Sequence, residues 1–241
     1  MSEVADFLPG NTDSGLLLIA DHASSHVPSD VDLGVDPALL NQHVALDIGV
    51  DTLSRDIAAR LDCAAIIAGV SRLVVDLNRL AVESHAIPIA SDGYTIPGNA
   101  ALGPEGRMAR IERFWEPYHA LIEARIEDLR PAMLISLHSF TPALVTRPQE
   151  ERPWHIGILY NEDDRAARVA IEALQARGIP TGDNLPYSGK ILNTTMNMHA
   201  EARGLPYLGI EVRQDLISDD IGIAHWASIL APVIAEVRDA L

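Results

Sequence analysis

Gly15-Leu-Leu-Leu-Ile-Ala20 is a continuous apolar run of strand length, and it gives way at once to Asp21-His22-Ala23-Ser24-Ser25-His26-Val27-Pro28. A run that is apolar at every position suits a strand covered on both faces. The polar stretch behind it reads as a loop leaving the strand's carboxyl end. Working outward, residues 64–70 and 72–76 look extended, with Gly69 marking a bend between them. Residues 132–137 form a strand running into His138, and 154–160 and 205–212 are two more. Helical signals fall between these runs. Asp36-Pro37 is a cap with proline at the first helical position, and the helix is expected to continue to about residue 62. Met108, Ile111, Phe114, Trp115, Tyr118, Leu121, Ile122 and Ile126 recur at helical spacing within 104–130, with Pro117 as a kink or break. Residues 163–177 form an amphipathic helix closed by Gly178; 194–203 and 221–241 are also helical. Residues 86–106 are a long loop rich in Gly, Pro, Ser and Asn. Strands alternating with helices predict an α/β sandwich around a largely parallel sheet.

The 241 residues suit one domain spanning 1–241, with no internal repeat and no linker-like tract. Lys and Arg number 18 against 34 Asp and Glu, a formal charge of −16. Such a field repels polyanions and argues against nucleic acid or an anionic membrane as partner. Cys63 is the single cysteine, which excludes an internal disulfide framework and any multi-cysteine metal site; it reads as a small buried hydrophobe. The start lacks a basic region followed by a long apolar stretch, and no run approaches the ~20 residues that cross a bilayer, so a cytoplasmic protein is expected. Neither a dinucleotide fingerprint nor a phosphate-loop signature follows the first strand, and the Gly-x-Ser-x-Gly nucleophile motif is absent.

Ligands of open α/β sheets bind beyond the carboxyl ends of the strands. Three expected strands run into ionisable residues there: His22, His138 and Glu211. Two imidazoles and a carboxylate at one sheet edge suit a metal hydrolase, and one more oxygen ligand would complete a His₂-carboxylate set. His43, Asp47 and Asp51, spaced by four on the expected helix, share one face that offers this oxygen, or else forms a solvent-facing acidic stripe. His26 lies in a loop, where its spacing from His22 implies no common face. His119, His155 and His225 read as packing or surface residues.

A series of blocks then carries a family resemblance. In order they are Asp21-His22-Ala23-Ser24, His43-Val-Ala-Leu-Asp47-Ile-Gly49, Ser71-Arg72-Leu-Val-Val-Asp76-Leu-Asn78-Arg79, Ser91-Asp92-Gly93 with Pro97-Gly98-Asn99, and Pro117-Tyr118-His119. Ile135-Ser-Leu-His138-Ser139-Phe140-Thr141-Pro142, Asp183-Asn184-Leu-Pro186-Tyr187-Ser188-Gly189, His199-Ala200-Glu201 and Ile210-Glu211-Val-Arg213-Gln214-Asp215-Leu216 follow. Together, from about residue 15 to 230, they resemble the N-formylglutamate amidohydrolase family. Asp21 before His22, and Arg213-Gln214 after Glu211-Val212, depart from the common family pattern and mark a divergent branch.

The resemblance implies a phosphorylase/hydrolase-like fold, a three-layer sandwich around a mostly parallel mixed sheet, related to zinc carboxypeptidases. It implies hydrolysis of N-formyl-L-glutamate to L-glutamate and formate, a late step in one histidine-degradation route. By analogy with zinc amidases on that fold, His22, Asp47 and His138 hold one divalent ion, zinc by expectation, with Asp51 as substitute for Asp47. Asn78 and Arg79 then hold a substrate carboxylate, and Glu211 acts as general base. Arg213 is expected to bind a second carboxylate or tune Glu211, the plainer reading being an ion pair with Asp47 or Asp51. The alternatives are another zinc amidase or peptidase acting on a different N-acyl amino acid or peptide, and a non-catalytic dicarboxylate-binding protein. The partner in the enzyme readings is a small acidic molecule; the oligomeric state is left open.

Overall fold

The computed structural model describes residues 4–241. In chain order its main elements are β1 (Ala5–Leu8), β2 (Leu16–Ala20), α1 (Val50–Leu61), β3 (Ala64–Ala68), a small hairpin of β4 (Ala90–Ser91) and β5 (Tyr94–Thr95), α2 (Pro97–Ala100) and α3 (Pro104–Arg110). A five-residue π-helical turn, Ile111–Trp115, leads into α4 (Glu116–Leu129), then β6 (Met133–Phe140), β7 (Ile156–Leu159), α5 (Arg165–Ala176), β8 (Thr181–Asp183), α6 (Thr194–His199), β9 (Tyr207–Arg213) and α7 (Asp220–Ala240).

Seven strands make one sheet in the order β1-β3-β2-β6-β9-β7-β8. The central pairs β3·β2, β2·β6 and β6·β9 are parallel, as is β7·β8; β1 on β3 and β7 on β9 run antiparallel. Period-two alternation divides each strand between two layers. Leu16, Leu18, Ile135, Leu137, Leu208 and Ile210 face α1, α5 and α7. Leu17, Ile19, Leu134 and Tyr207 face the other layer, which includes Phe114, Tyr118 and Ile122 around α4. The mixed, mostly parallel sheet between two helical layers is the expected α/β sandwich. α7 is the one helix among the described residues long and apolar enough to cross a membrane. Its Trp226, Leu230, Val233, Ile234 and Val237 are buried in the sheet-facing core, so here it is a core helix.

Three local expectations are corrected. The helix predicted from Asp36 to about residue 62 is a short 3₁₀ turn, Pro37–Asn41, then an irregular stretch, and only then α1. Gly49 explains the interruption, since its φ of 81° is incompatible with a helix interior. His43, Asp47 and Asp51 therefore do not share a helix face. Residues 72–76 form a turn rather than a strand, and β6 runs through His138 to Phe140 instead of ending before it.

Gly49 is also tightly enclosed: a Cβ there would lie 2.2 Å from the Ile217 carbonyl oxygen. Gly49→Ala is expected to destabilise the fold by about 1–3 kcal/mol or more, read as a lower urea midpoint with an unchanged m-value.

Candidate active site

His22 follows β2, and His138 lies within β6, the next strand across. Glu211 on β9 is the direct cross-strand partner of His138. The alternation that sends Leu137 and Ile210 into one core turns His138 and Glu211 to the opposite face. Asp47 enters from the irregular stretch before α1, where its backbone N–H donates to the His22 carbonyl at 2.9 Å. Residues 22 and 47 are thus coupled through the backbone before their side chains meet.

The side chains form a buried cluster. His22 Nε2 donates to Asp76 Oδ1 at 2.7 Å, and its Nδ1 lies 3.5 Å from Asp47 Oδ2. His138 Nδ1 donates to the same Asp47 oxygen at 2.9 Å, while its Nε2 lies 3.4 Å from Asp21 Oδ2. Tyr118 donates to Asp21 Oδ1 at 2.8 Å. Arg72 spans two acids, donating to Asp47 Oδ1 at 3.1 Å and Asp76 Oδ2 at 2.7 Å. The two imidazole rings stand edge to face, 4.9 Å between centroids. One ligand atom from each of His22, Asp47 and His138 falls within 4.8 Å of the other two.

The donor set fits a divalent metal ion. His22 Nδ1, although buried, has no hydrogen-bond partner among the described residues and faces the Asp47 oxygen that His138 Nδ1 also approaches. The two outer nitrogens face carboxylates, Asp76 behind His22 and Asp21 behind His138. His138 Nε2 and Asp21 Oδ2 are themselves unpaired, buried and opposed. Carboxylates backing the outer nitrogens of two imidazoles are the common support of metal-binding histidines. Asp51, the substitute considered for Asp47, instead accepts from Arg55 Nε at 2.7 Å, and His43 donates to Asp92 at 2.9 Å.

Electrostatics separate Glu211 from the other acids. Burial alone would raise the Asp47 carboxyl, but His22, His138 and Arg72 overrule it and hold it far below the usual range. Asp76 is likewise held well down against its burial by Arg72 and His22. Glu211 has no such partner among the described residues: Oε2 is buried without a hydrogen bond, and burial pushes its carboxyl up to about 7, against the pull of His138. A carboxyl tuned in this way can take and return a proton near neutral pH.

A cavity of about 160 Å³ opens over the cluster, lined among others by His22, His43, Asp47, Arg72, Asn78, Arg79, His138, Tyr187 and Glu211. Asn78 and Arg79 sit on a turn held from behind. His119 Nε2 donates to the Leu77 carbonyl at 3.0 Å, Trp115 Nε1 to the Arg79 carbonyl at 2.8 Å, and the Thr195 N–H to Asn78 Oδ1 at 2.9 Å. His119, read from sequence as a packing residue, is backed by His199, whose Nε2 donates to His119 Nδ1 at 2.8 Å. Among the described residues no carboxylate pairs with the Arg79 guanidinium, leaving a cation facing the cavity.

Arg213 differs from expectation. It shares a sheet face with Glu211, but its guanidinium is taken by Asp215, at 2.8 Å and 3.2 Å, and it does not line the cavity with Arg79. Nor does it pair with Asp47 or Asp51. The sequence reading missed Asp21 and Asp76 as supports of the histidines, and Arg72 as the cation between two acids. Their adjacency to His22 and Asn78-Arg79 in the quoted blocks was the available signal.

Comparison with known proteins follows the same lines. The sequence profile of the N-formylglutamate amidohydrolase family matches residues 14–218. Among solved structures, gene product Atu2144 from Agrobacterium tumefaciens is similar with a TM-score of 0.90 and 28% identity, over 98% of this chain and 95% of that one. The N-formylglutamate amidohydrolase from Ralstonia eutropha JMP134 shares the fold, with a TM-score of 0.71 and 18% identity over 99% and 98% of the two chains. A search of curated proteins finds no match.

Asp76→Asn keeps the shape of the side chain but removes the charge behind His22. It is expected to weaken divalent-metal binding by about 10–100-fold in a chelator competition titration.

Proposed function

Because this chain belongs to the N-formylglutamate amidohydrolase family and is an amidohydrolase, we propose that it cleaves an acidic N-acyl amino acid, N-formyl-L-glutamate above all, to L-glutamate and formate with the aid of one zinc ion. The observation that carries this reading is the convergence of His22, Asp47 and His138 on one cavity beside Glu211, a buried carboxylate whose Oε2 has no hydrogen-bond partner among the described residues. His22, Asp47 and His138 would hold the ion; a His₂-carboxylate set that leaves a position open is a common catalytic zinc arrangement. When bound, the ion supplies Lewis acidity, lowering the pKa of water and polarising the acyl carbonyl.

Glu211 takes the proton of the attacking water at its unpaired oxygen and passes it to the leaving amine nitrogen. Asp76 and Asp21 fix the orientations of the two imidazoles. Arg79, whose guanidinium pairs with no carboxylate among the described residues, binds a substrate carboxylate through its fork, with the Asn78 amide N–H beside it. Since the Asn78 Oδ1 is already engaged by Thr195, that amide is oriented with its donor group spare. A net charge of −16 gives no long-range attraction for an acidic substrate, so recognition falls to these groups inside the cavity. The same charge supports a small molecule as partner and not nucleic acid or an anionic membrane, and the single buried free cysteine is in keeping with a cytoplasmic enzyme.

Protein purified without chelator is expected to carry about one zinc per chain by atomic emission and to release formate from N-formyl-L-glutamate. A metal-loaded protein that leaves this compound intact but hydrolyses another N-acyl amino acid would move the substrate assignment. Glu211→Gln should retain the metal and lose on the order of 10²-fold or more in kcat; near-normal turnover would remove Glu211 from the proton-transfer role.

A further inference from the structure

Tyr187 lies in the loop after β8 and lines the same cavity as His138 and Glu211. Its hydroxyl oxygen accepts a hydrogen bond from Arg152 Nη1 at 3.0 Å, and the Arg152 guanidinium stands 5.0 Å from the centre of the phenol ring. Arg152 is an unusual neighbour because its side chain has no exposed surface. It is fully committed, giving Nη1 to the Thr141 carbonyl and Nε and Nη2 to Glu150 as well. A guanidinium fixed in this way cannot swing out to a substrate. It can only polarise the phenol it touches.

The phenol has one proton, and among the described residues that proton has no acceptor. An O–H whose oxygen already accepts from a cation is a strengthened donor. The environment also keeps the proton in place: burial and then the Glu211 carboxylate push Tyr187 above the usual tyrosine range, against Arg152 and Arg72. Tyr187 shares the cavity wall with Glu211, His138 and Arg72, the groups of the charged cluster.

We propose that Tyr187 is a further catalytic residue, its hydroxyl donating a hydrogen bond to the acyl oxygen of the substrate as water adds to the carbonyl carbon. The inference rests on the amide-hydrolysis reading of this cavity and deepens it by assigning a donor at the reacting oxygen. As the water oxygen bonds to carbon, the carbonyl π pair moves onto the acyl oxygen, and the water proton goes to Glu211. The Tyr187 hydrogen bond shortens as that charge grows, without transferring its proton. When the pair returns and the C–N bond breaks, Glu211 delivers its proton to the departing nitrogen. Removing one donor of this kind typically costs 10²–10³-fold in kcat.

Tyr187→Phe keeps the ring over Arg152 and deletes only the hydroxyl. With N-formyl-L-glutamate, or the best substrate of an N-acyl amino acid panel, kcat is expected to fall about 10²-fold with KM within about threefold and zinc content unchanged. Calorimetry supplies a second readout. A phosphinate that mimics the tetrahedral adduct should lose affinity in the variant by a similar factor, while the product amino acid binds as before. Arg152→Lys should lower kcat in the wild-type background and add little to Tyr187→Phe. A kcat within threefold of wild type, or an equal loss of affinity for product and phosphinate, overturns the assignment of Tyr187 alone. Wild-type inactivity on the entire panel overturns the substrate reading and this inference with it.

Discussion

The carboxylates packed around two imidazoles at the sheet's edge impose the constraint on which the rest of the site depends. Asp21, Asp47, Asp76 and Glu211 are all buried, and like charges brought together out of water repel strongly. The cluster is tolerable only because its cations are distributed unequally. Arg72 bridges Asp47 and Asp76, His22 reaches both of these, and His138 lies between Asp47 and Asp21. Glu211 is left over. Its neighbours are already neutralising other acids, so it is the one carboxyl whose proton affinity rises toward neutrality. A network of this kind is poor value for stability, since an apolar core of the same volume does as well; its retention makes sense as chemistry.

The strand pattern was legible because it follows from periodicity. Runs apolar at every position announced a sheet covered on both sides, and the ionisable residues at the far end of those runs, 22, 138 and 211, announced the edge where function gathers, although β6 and β9 continue two residues past 138 and 211. Asp47 was identified through family resemblance, while the local reading behind it failed. Its position was read as part of a helix from residue 36 to 62, yet residues 42–49 combine short turns, such as Ala45 N to Gln42 O, with hydrogen bonds to distant segments. Asp47 N donates to His22 O, and Ser71 Oγ and Arg72 N both donate to Ala45 O. These contacts span about 25 residues, beyond the reach of a local reading, and they override the helix propensity that the sequence displays. Gly49 was the local clue, since a glycine required at positive φ ends any helix from the preceding side.

Arg72 and Asp76 illustrate a different blind spot. Read as a strand, 72–76 would keep Arg72 and Asp76 on one face but about 13 Å apart along the chain, too far to pair with each other directly. As a turn, the same spacing of four lets one guanidinium reach Asp76 within its own segment and Asp47 from another. Arg213 fails in the opposite sense. Alternation along β9 does place it on the face of Glu211, but an acid two residues later captures the guanidinium. Face assignments follow from the strand; the partner of a long charged side chain depends on the turn that comes after it.

That same turn joins the two ends of the cavity. Residues 72 and 76 belong to the charged cluster, and 78 and 79 to the end that would meet a substrate carboxylate, so eight consecutive residues span both. The segment is pinned at Ser71, whose side chain holds Ala45 O, and again at 77–79 by His119, Thr195 and Trp115. With both ends pinned, the spacing between cluster and Arg79 becomes a property of one short, supported piece of backbone. A substrate anchored at Arg79 would then present its acyl group at a set distance, and orientation of that kind is a large part of what an enzyme contributes beyond its reactive groups. The buried His119–His199 pair earns its place in this way without touching the reaction, holding the ruler by which the substrate is measured.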